Sequence, residues 1–180
     1  MNTANKLTML RVVMIPVLLI VLYSGFDFSG YVALAVFALA CITDFIDGYI
    51  ARHYNQITNF GKFMDPLADK VLVVAAMCYF VESGQMPGWA LAVVLLREFA
   101  VSGMRMVAVE QGRVIAAAWS GKVKTASTMV CLCIMMLLTE LTFVGARIVN
   151  SICIAAIVIT TVYSGIEYFA KNRDVFKDVN

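Results

Sequence analysis

Charge is what this sequence has least of. Only 14% of its 180 residues are Asp, Glu, Lys or Arg, while 62% are apolar, and the mean hydropathy is +0.86. A soluble domain holds close to half apolar residues, so the composition excludes a separate water-soluble unit and predicts one membrane-embedded domain over residues 1–180. Histidine is nearly absent: His53 is the single copy. It follows Arg52 at a helix exit and reads as a solvated or headgroup-facing residue rather than a catalytic base. The five cysteines, Cys41, Cys78, Cys131, Cys133 and Cys153, stand singly or alternately inside apolar runs. That makes them small buried hydrophobes rather than disulfide partners or metal ligands. No internal repeat, low-complexity segment or inverted-repeat signal of a transporter is visible, and no nucleic-acid partner is expected.

What the chain has in quantity is long apolar runs. Six spans, roughly 9–24, 31–50, 66–82, 87–108, 124–142 and 147–169, approach the roughly 20 residues that cross a bilayer. The first lacks a convincing small-x-small cleavage site and is expected to be retained as a helix. Basic residues are missing from the connections "SGFDFSG" and "ESGQMPG", and the last connection on that side contributes only Arg147. The other side collects Lys6, Arg11, Arg52, Lys62, Lys70, Arg105, Arg113, Lys122, Lys124, Lys171, Arg173 and Lys177. This asymmetry predicts an all-α integral membrane protein of six transmembrane helices with both termini cytoplasmic. Trp89 and Tyr168 are expected as interfacial anchors, and the terminal "AKNRDVFKDVN" as a solvated tail.

Against this background, "TDFIDGYIARHYNQITNFGKFMDPLADK" carries four aspartates at the cytoplasmic side. At about 100° per residue, Asp44, Asp47, Gly48, Ala51 and Arg52 share one helix face. The two carboxylates converge, the small residues leave a groove, and Arg52 can reach a phosphate lying in it. Asp65 and Asp69 are one turn apart at the start of the third span, with Gly61 a turn earlier. Pro66 is expected in the first helical turn, where the missing amide has no intrahelical partner. The polar "HYNQITNF" would fold the second and third spans together, so that four carboxylates meet between two helices. An ionised Asp within a membrane costs about 2.5 to 3.5 kcal/mol on insertion scales. A purely structural role would need four basic partners. Two hard divalent cations answer the charge better: Mg²⁺ takes carboxylate oxygens and keeps positions open for substrate phosphates.

The same stretch reads D-x-x-D-G-x-x-A-R-x₈-G-x-x-x-D-x-x-x-D, which resembles the signature of the CDP-alcohol phosphatidyltransferase family with every fixed position filled. The resemblance implies a six-helix membrane enzyme, usually dimeric, that joins a CDP-linked lipid to an alcohol and releases CMP. It implies that Asp44, Asp47, Asp65 and Asp69 hold two divalent ions, Mg²⁺ or Mn²⁺, and that Asp69 also takes the proton of the acceptor hydroxyl. Gly48, Arg52 and Thr58 would hold the CDP portion, with Ala51 and Gly61 lining the groove. "NKLTMLR" resembles the family's segment that closes over the nucleotide, making Asn5 and Thr8 contacts; helix capping is the rival role for Asn5.

A second region, residues 95–125, bears on the acceptor. Arg105, Arg113, Lys122 and Lys124 have no comparable number of local acids, and an acceptor carrying its own phosphate would account for them. Glu98, Ser102 and Arg105 share a face, whereas Arg97 and Glu98, as sequence neighbours, are expected to point apart and pair with other helices. For Arg113 a topological role competes with a ligand role. "REFAVSGMR", "GRVIAAAWSGKVKT" and "LTMLRVVMIPVL" are similar to bacterial members of the family that act on CDP-diacylglycerol and sn-glycerol 3-phosphate. The resemblance thus implies a multi-pass protein of a bacterial plasma membrane, with its active site facing the cytoplasm. Alternatives are transfer to inositol phosphate or to phosphatidylglycerol and, from a different class, a divalent-cation transporter.

Overall fold

The computed structural model describes the backbone of residues 3–53, 59–116, 118–141 and 144–176, and the side chains of these except 3, 4, 45, 47–53, 59, 60, 62, 63 and 176. Six long helices follow one another: α1 (Thr3–Ser24), α2 (Ser29–His53), α3 (Asn59–Glu82), α4 (Gly88–Glu110), α5 (Trp119–Glu140) and α6 (Ala146–Lys171). A short 3-10 helix, Arg173–Phe176, comes after them, and there is no strand among the described residues. The helices have 22 to 26 residues, about 33 to 39 Å at 1.5 Å per residue. Each overruns its apolar run, as does α3, which begins seven residues before Pro66. Pro66 therefore lies inside α3 and not in its first turn. It removes the amide that would bond the carbonyl four residues earlier, but near one end of the helix rather than its middle.

Among the described residues three stretches, Asn5–Ser24, Trp119–Glu140 and Ala146–Lys171, are long and apolar enough to cross a membrane. In α2 the stretch whose side chains are described as far as Asp44 is also apolar. Charges interrupt α3 and α4, and those charges build the site described below. Large apolar side chains point outward around the bundle, among them Ile20, Leu39, Leu96, Phe99, Ile148 and Ile166. A surface of this kind belongs against lipid rather than water.

The main core lies in the half of the bundle away from the aspartates. It joins Leu18 and Leu22 of α1, Phe37 of α2, Met77 and Phe80 of α3, Met135 and Met136 of α5 and Ile157 of α6. Two helices end in the same way. Gly84 and Gly112 take φ 72°, and the next residue's amide turns back to the carbonyl of Phe80 or Ala108, at 2.9 and 2.8 Å. This closure needs a residue free to be left-handed, hence glycine.

Packing between helices is uneven. α1 packs chiefly on α2 and α3, α5 on α6 and α2, and α4 on α6, while α3 touches α4 and α5 only sparsely. A second small core gathers Val101, Met104 and Ala108 of α4 with Tyr168 and Val175. Tyr168 is thus buried and accepts a 3.1 Å hydrogen bond from Nε of Arg105, so it is not a lipid-facing anchor. Trp89 is exposed. After α6 the chain is docked at Val175, which is buried and whose carbonyl accepts from Gln111 Nε2 at 3.1 Å.

Candidate active site

The buried positions of α1 are Asn5, Thr8, Arg11, Ile15, Leu18 and Leu22. Their spacing of three and four is one helix stripe. Its apolar half enters the core, and its polar half meets the aspartates. Thr8 Oγ1 donates to Asp65 Oδ1 at 2.6 Å. Arg11, with no exposed surface, donates from Nη1 to Asp69 Oδ1 at 2.8 Å and lies 3.0 Å from Asp44 Oδ1. The carboxylates of α2 and α3 are therefore joined through α1. The expected two-helix site has a third wall, because two acidic helix faces repel and a buried cation between them offsets that repulsion.

Asn5 is buried and lies inside α1, which begins at Thr3, so the helix-capping role does not apply. Gly61 is buried one turn before Asp65. Asp47, Gly48, Ala51, Arg52 and Thr58 fall outside the described side chains, as do His53 and most of "HYNQITNF". Sequence reasoning counted Arg11 only among the cytoplasmic positive charges. The readable signal was its place on the stripe of Thr8, Ile15 and Leu18.

The sparse packing of α3 against α4 and α5 leaves a cavity of about 530 Å³. Its walls are mostly apolar, including Val71, Val74, Leu95, Phe99 and Met129, and its polar members are Asp69, Lys70, Glu98, Lys124, Thr125 and Thr128. Asp69 thus borders both the carboxylate cluster and this cavity. Glu98 accepts from Lys124 Nζ at 2.8 Å and from Arg97 Nη1 at 3.0 Å, and Lys70 Nζ lies 3.8 Å away. Lys70 also donates to Ser102 at 2.6 Å. Three cations around one carboxylate leave an excess of positive charge beside Asp69. The sequence-neighbour argument for Arg97 and Glu98 fails because the long arginine stem folds back. That stem runs past Gly165, where an added Cβ would lie 3.3 Å from Arg97 Cγ, and its Nη2 passes Gly121 at 3.4 Å by the same measure.

The four basic residues expected to gather on an acceptor phosphate are in different settings. Lys124 is buried in the cavity wall. Arg105 is exposed, with its guanidinium 5.6 Å from the Tyr168 ring centre, and Arg113 pairs with Asp174. Lys122 is exposed, 6.0 Å from the ring centre of Trp119. Glu98 pairs with Lys124 inside the region, and Asp174, 61 residues along the chain from Arg113, pairs with Arg113 from outside it.

Asp44, Asp65 and Asp69 present hard carboxylate oxygens, and two of them already converge on a positive group in Arg11. This donor chemistry fits Mg²⁺ or Mn²⁺. No group of three potential metal ligands closes among the described residues, and the side chain of Asp47, the fourth expected donor, lies outside them.

Residues 1–163 match the CDP-alcohol phosphatidyltransferase family, and the chain belongs to that family of divalent-metal-dependent transferases. Among curated relatives, a Bacillus subtilis protein named CDP-diacylglycerol–glycerol-3-phosphate 3-phosphatidyltransferase is 38% identical over 99% of both chains. A Mycobacterium tuberculosis protein named probable phosphatidylglycerophosphate synthase is 40% identical, over 97% of this chain and 83% of its own. The Escherichia coli protein bearing the Bacillus protein's name is 40% identical over 73% of this chain and 74% of its own.

Proposed function

We propose that this protein transfers the phosphatidyl group of CDP-diacylglycerol to sn-glycerol 3-phosphate, giving phosphatidylglycerophosphate and CMP. The names of the relatives support the reaction, and one observation supports the division of labour: Asp69 borders the carboxylate cluster on one side and the cation-lined cavity on the other. A lipid diphosphate held at the first would meet a phosphorylated alcohol held at the second.

In this mechanism Asp69 accepts the proton of the acceptor hydroxyl as its oxygen attacks the phosphorus on the lipid side. The bond from that phosphorus to the CMP oxygen breaks in line, and CMP leaves. Asp44, Asp47, Asp65 and Asp69 would hold two Mg²⁺, with Mn²⁺ as the substitute, supplying charge stabilisation at the diphosphate and acidity at the hydroxyl. Thr8, through its bond to Asp65, orients that carboxylate. Asn5, Gly48, Ala51, Arg52, Thr58 and Gly61 form the nucleotide side. Lys124 and Lys70 take the acceptor phosphate, and Arg105, Arg113 and Lys122 form an outer basic rim that draws an anionic acceptor inward.

The working unit is a single domain over residues 1–180 with six transmembrane helices and both termini on the cytoplasmic side of a bacterial plasma membrane. The even number of long helices and the one-sided distribution of Lys and Arg support this topology. The family likeness further implies a homodimer. Membership of the family leaves the cation-transporter reading without support.

The test is CMP release by purified protein with CDP-diacylglycerol and Mg²⁺, offered glycerol 3-phosphate, inositol phosphate, phosphatidylglycerol, serine or no acceptor. Release that depends on glycerol 3-phosphate is expected. Release with another alcohol alone would keep the transferase and replace the acceptor.

A further inference from the structure

Arg11 has no exposed surface, and its guanidinium reaches oxygens of both Asp44 and Asp69, the first and last acids of the motif. An arginine does not lose its proton at any pH an enzyme meets. A permanent cation is thus buried between two carboxylates on two different helices. On the reading that Asp44 and Asp69 are metal ligands, a divalent ion arriving there meets a like charge within a few ångströms, competing for the same carboxylate charge.

We infer that Arg11 is the site's resident counter-cation: it holds Asp44 and Asp69 together when the site has no divalent ion, and it lowers the affinity for that ion. The first half follows from electrostatics, since the carboxylates of Asp44 and Asp69 without Arg11 would repel across the α2–α3 gap. The second half follows from the same charge. The attraction between a divalent ion and the aspartates is offset in part by repulsion from a guanidinium that burial keeps close. An affinity lowered in this way fits a site that binds its metal tightly only when a diphosphate adds negative charge. This inference rests on the metal reading and adds to it a residue that is not itself a ligand.

Binding of Mn²⁺ alone, followed by loss of the free-ion electron paramagnetic resonance signal, tests it on the full-length detergent-purified protein. The unsubstituted protein is compared with Arg11→Met and Arg11→Lys, and each is also melted in chelator and in Mn²⁺. In Arg11→Met the half-saturating Mn²⁺ concentration should fall about tenfold or more. Its melting temperature should drop in chelator and recover with Mn²⁺, because the ion replaces the missing charge. Arg11→Lys should lie between, since an ammonium cannot span both carboxylates as a guanidinium fork does. Unchanged or weaker Mn²⁺ binding in the folded variants overturns the inference and makes Arg11 a support for the ligands instead. If Arg11→Met does not fold even in Mn²⁺, the lysine variant decides alone by the same criterion. No Mn²⁺ binding by any of the three proteins, even with CDP-diacylglycerol present, would overturn the metal reading itself, a result distinct from the other two.

Discussion

Replacing Lys124 by Met should separate the two substrates kinetically. Lys124 is only 5% exposed, and its Nζ lies 2.8 Å from Glu98 Oε1 in the cavity that Asp69 borders. Methionine keeps most of the buried stem and removes the charge. Breaking a buried ion pair commonly costs about 3 to 5 kcal/mol, because the surviving partner is stranded. Here Glu98 keeps Arg97 at 3.0 Å and Lys70 at 3.8 Å, so the fold should survive with a smaller loss. The acceptor phosphate, by contrast, loses a charge-assisted hydrogen bond worth about 1.5 to 3 kcal/mol. At about 1.36 kcal/mol per tenfold, that is roughly a 10- to 150-fold fall in kcat/KM for glycerol 3-phosphate. The assay is CMP release with each substrate varied while the other is saturating. KM for glycerol 3-phosphate should carry most of the change, and KM for CDP-diacylglycerol should move by less than about twofold. Equal losses toward both substrates, or an unchanged KM for glycerol 3-phosphate in folded protein, would refute the placing of the acceptor phosphate at Lys124.

Asp69→Asn removes the proton acceptor and should lower kcat by about 10²- to 10⁴-fold while the protein stays folded, because Arg11 retains Asp44, as circular dichroism and melting would show. Chelation should abolish CMP release, and added Mg²⁺ should restore it; activity that survives exhaustive chelation would remove the metals from the mechanism. At the opposite end of the bundle, an alanine at Gly30 would put its Cβ 2.2 Å from Thr139 Oγ1 and 2.8 Å from Glu140 Cγ. The overpacking should cost about 1 to 3 kcal/mol and lower the melting temperature by several degrees, with KM for both substrates unchanged. Arg113→Ala breaks an exposed pair with Asp174 whose side chains are 49% and 47% exposed, so stability should hold, and KM for glycerol 3-phosphate should rise by only about two- to threefold at low salt and less at high salt.

The helices and the motif were legible because both are local patterns. Apolar length marks a helix, and spacings of three and four put Asp44 with Asp47 and Asp65 with Asp69 whatever else the chain does. Sequence spacing fails where long side chains decide. A rule about Cβ directions parts Arg97 from Glu98, but it does not bind a side chain of this length, and the two meet at 3.0 Å. Arg105 turned to Tyr168, and Arg113 to Asp174, partners more than 60 residues away that no local window contains. Helix ends were misjudged for a related reason. Hydropathy marks where apolar residues stop, whereas hydrogen bonding carries α3 through the polar residues that precede Pro66.

The wedge formed by α1 explains why one aspartate can serve both sides of the site. If α2 and α3 packed directly on one another, their acids would face each other across a seam with no cation in it, and the face of α3 toward α4 and α5 would be drawn in as well. Instead Thr8 and Arg11 engage Asp65 and Asp69 from α1, and α3 is held mainly from that side. Its far side then has little to pack against, and the cavity with Lys70, Glu98 and Lys124 lies there. Asp69 is where the two sides meet, one turn from Asp65 and next to Lys70. A carboxylate at that point is near Asp65 and Asp44 and also near Lys70 and Lys124, the cations proposed to hold a phosphorylated alcohol. The polar stripe of α1 therefore does more than cover the acids. By taking over the packing of α3, it leaves open the cavity in which the second substrate is proposed to sit.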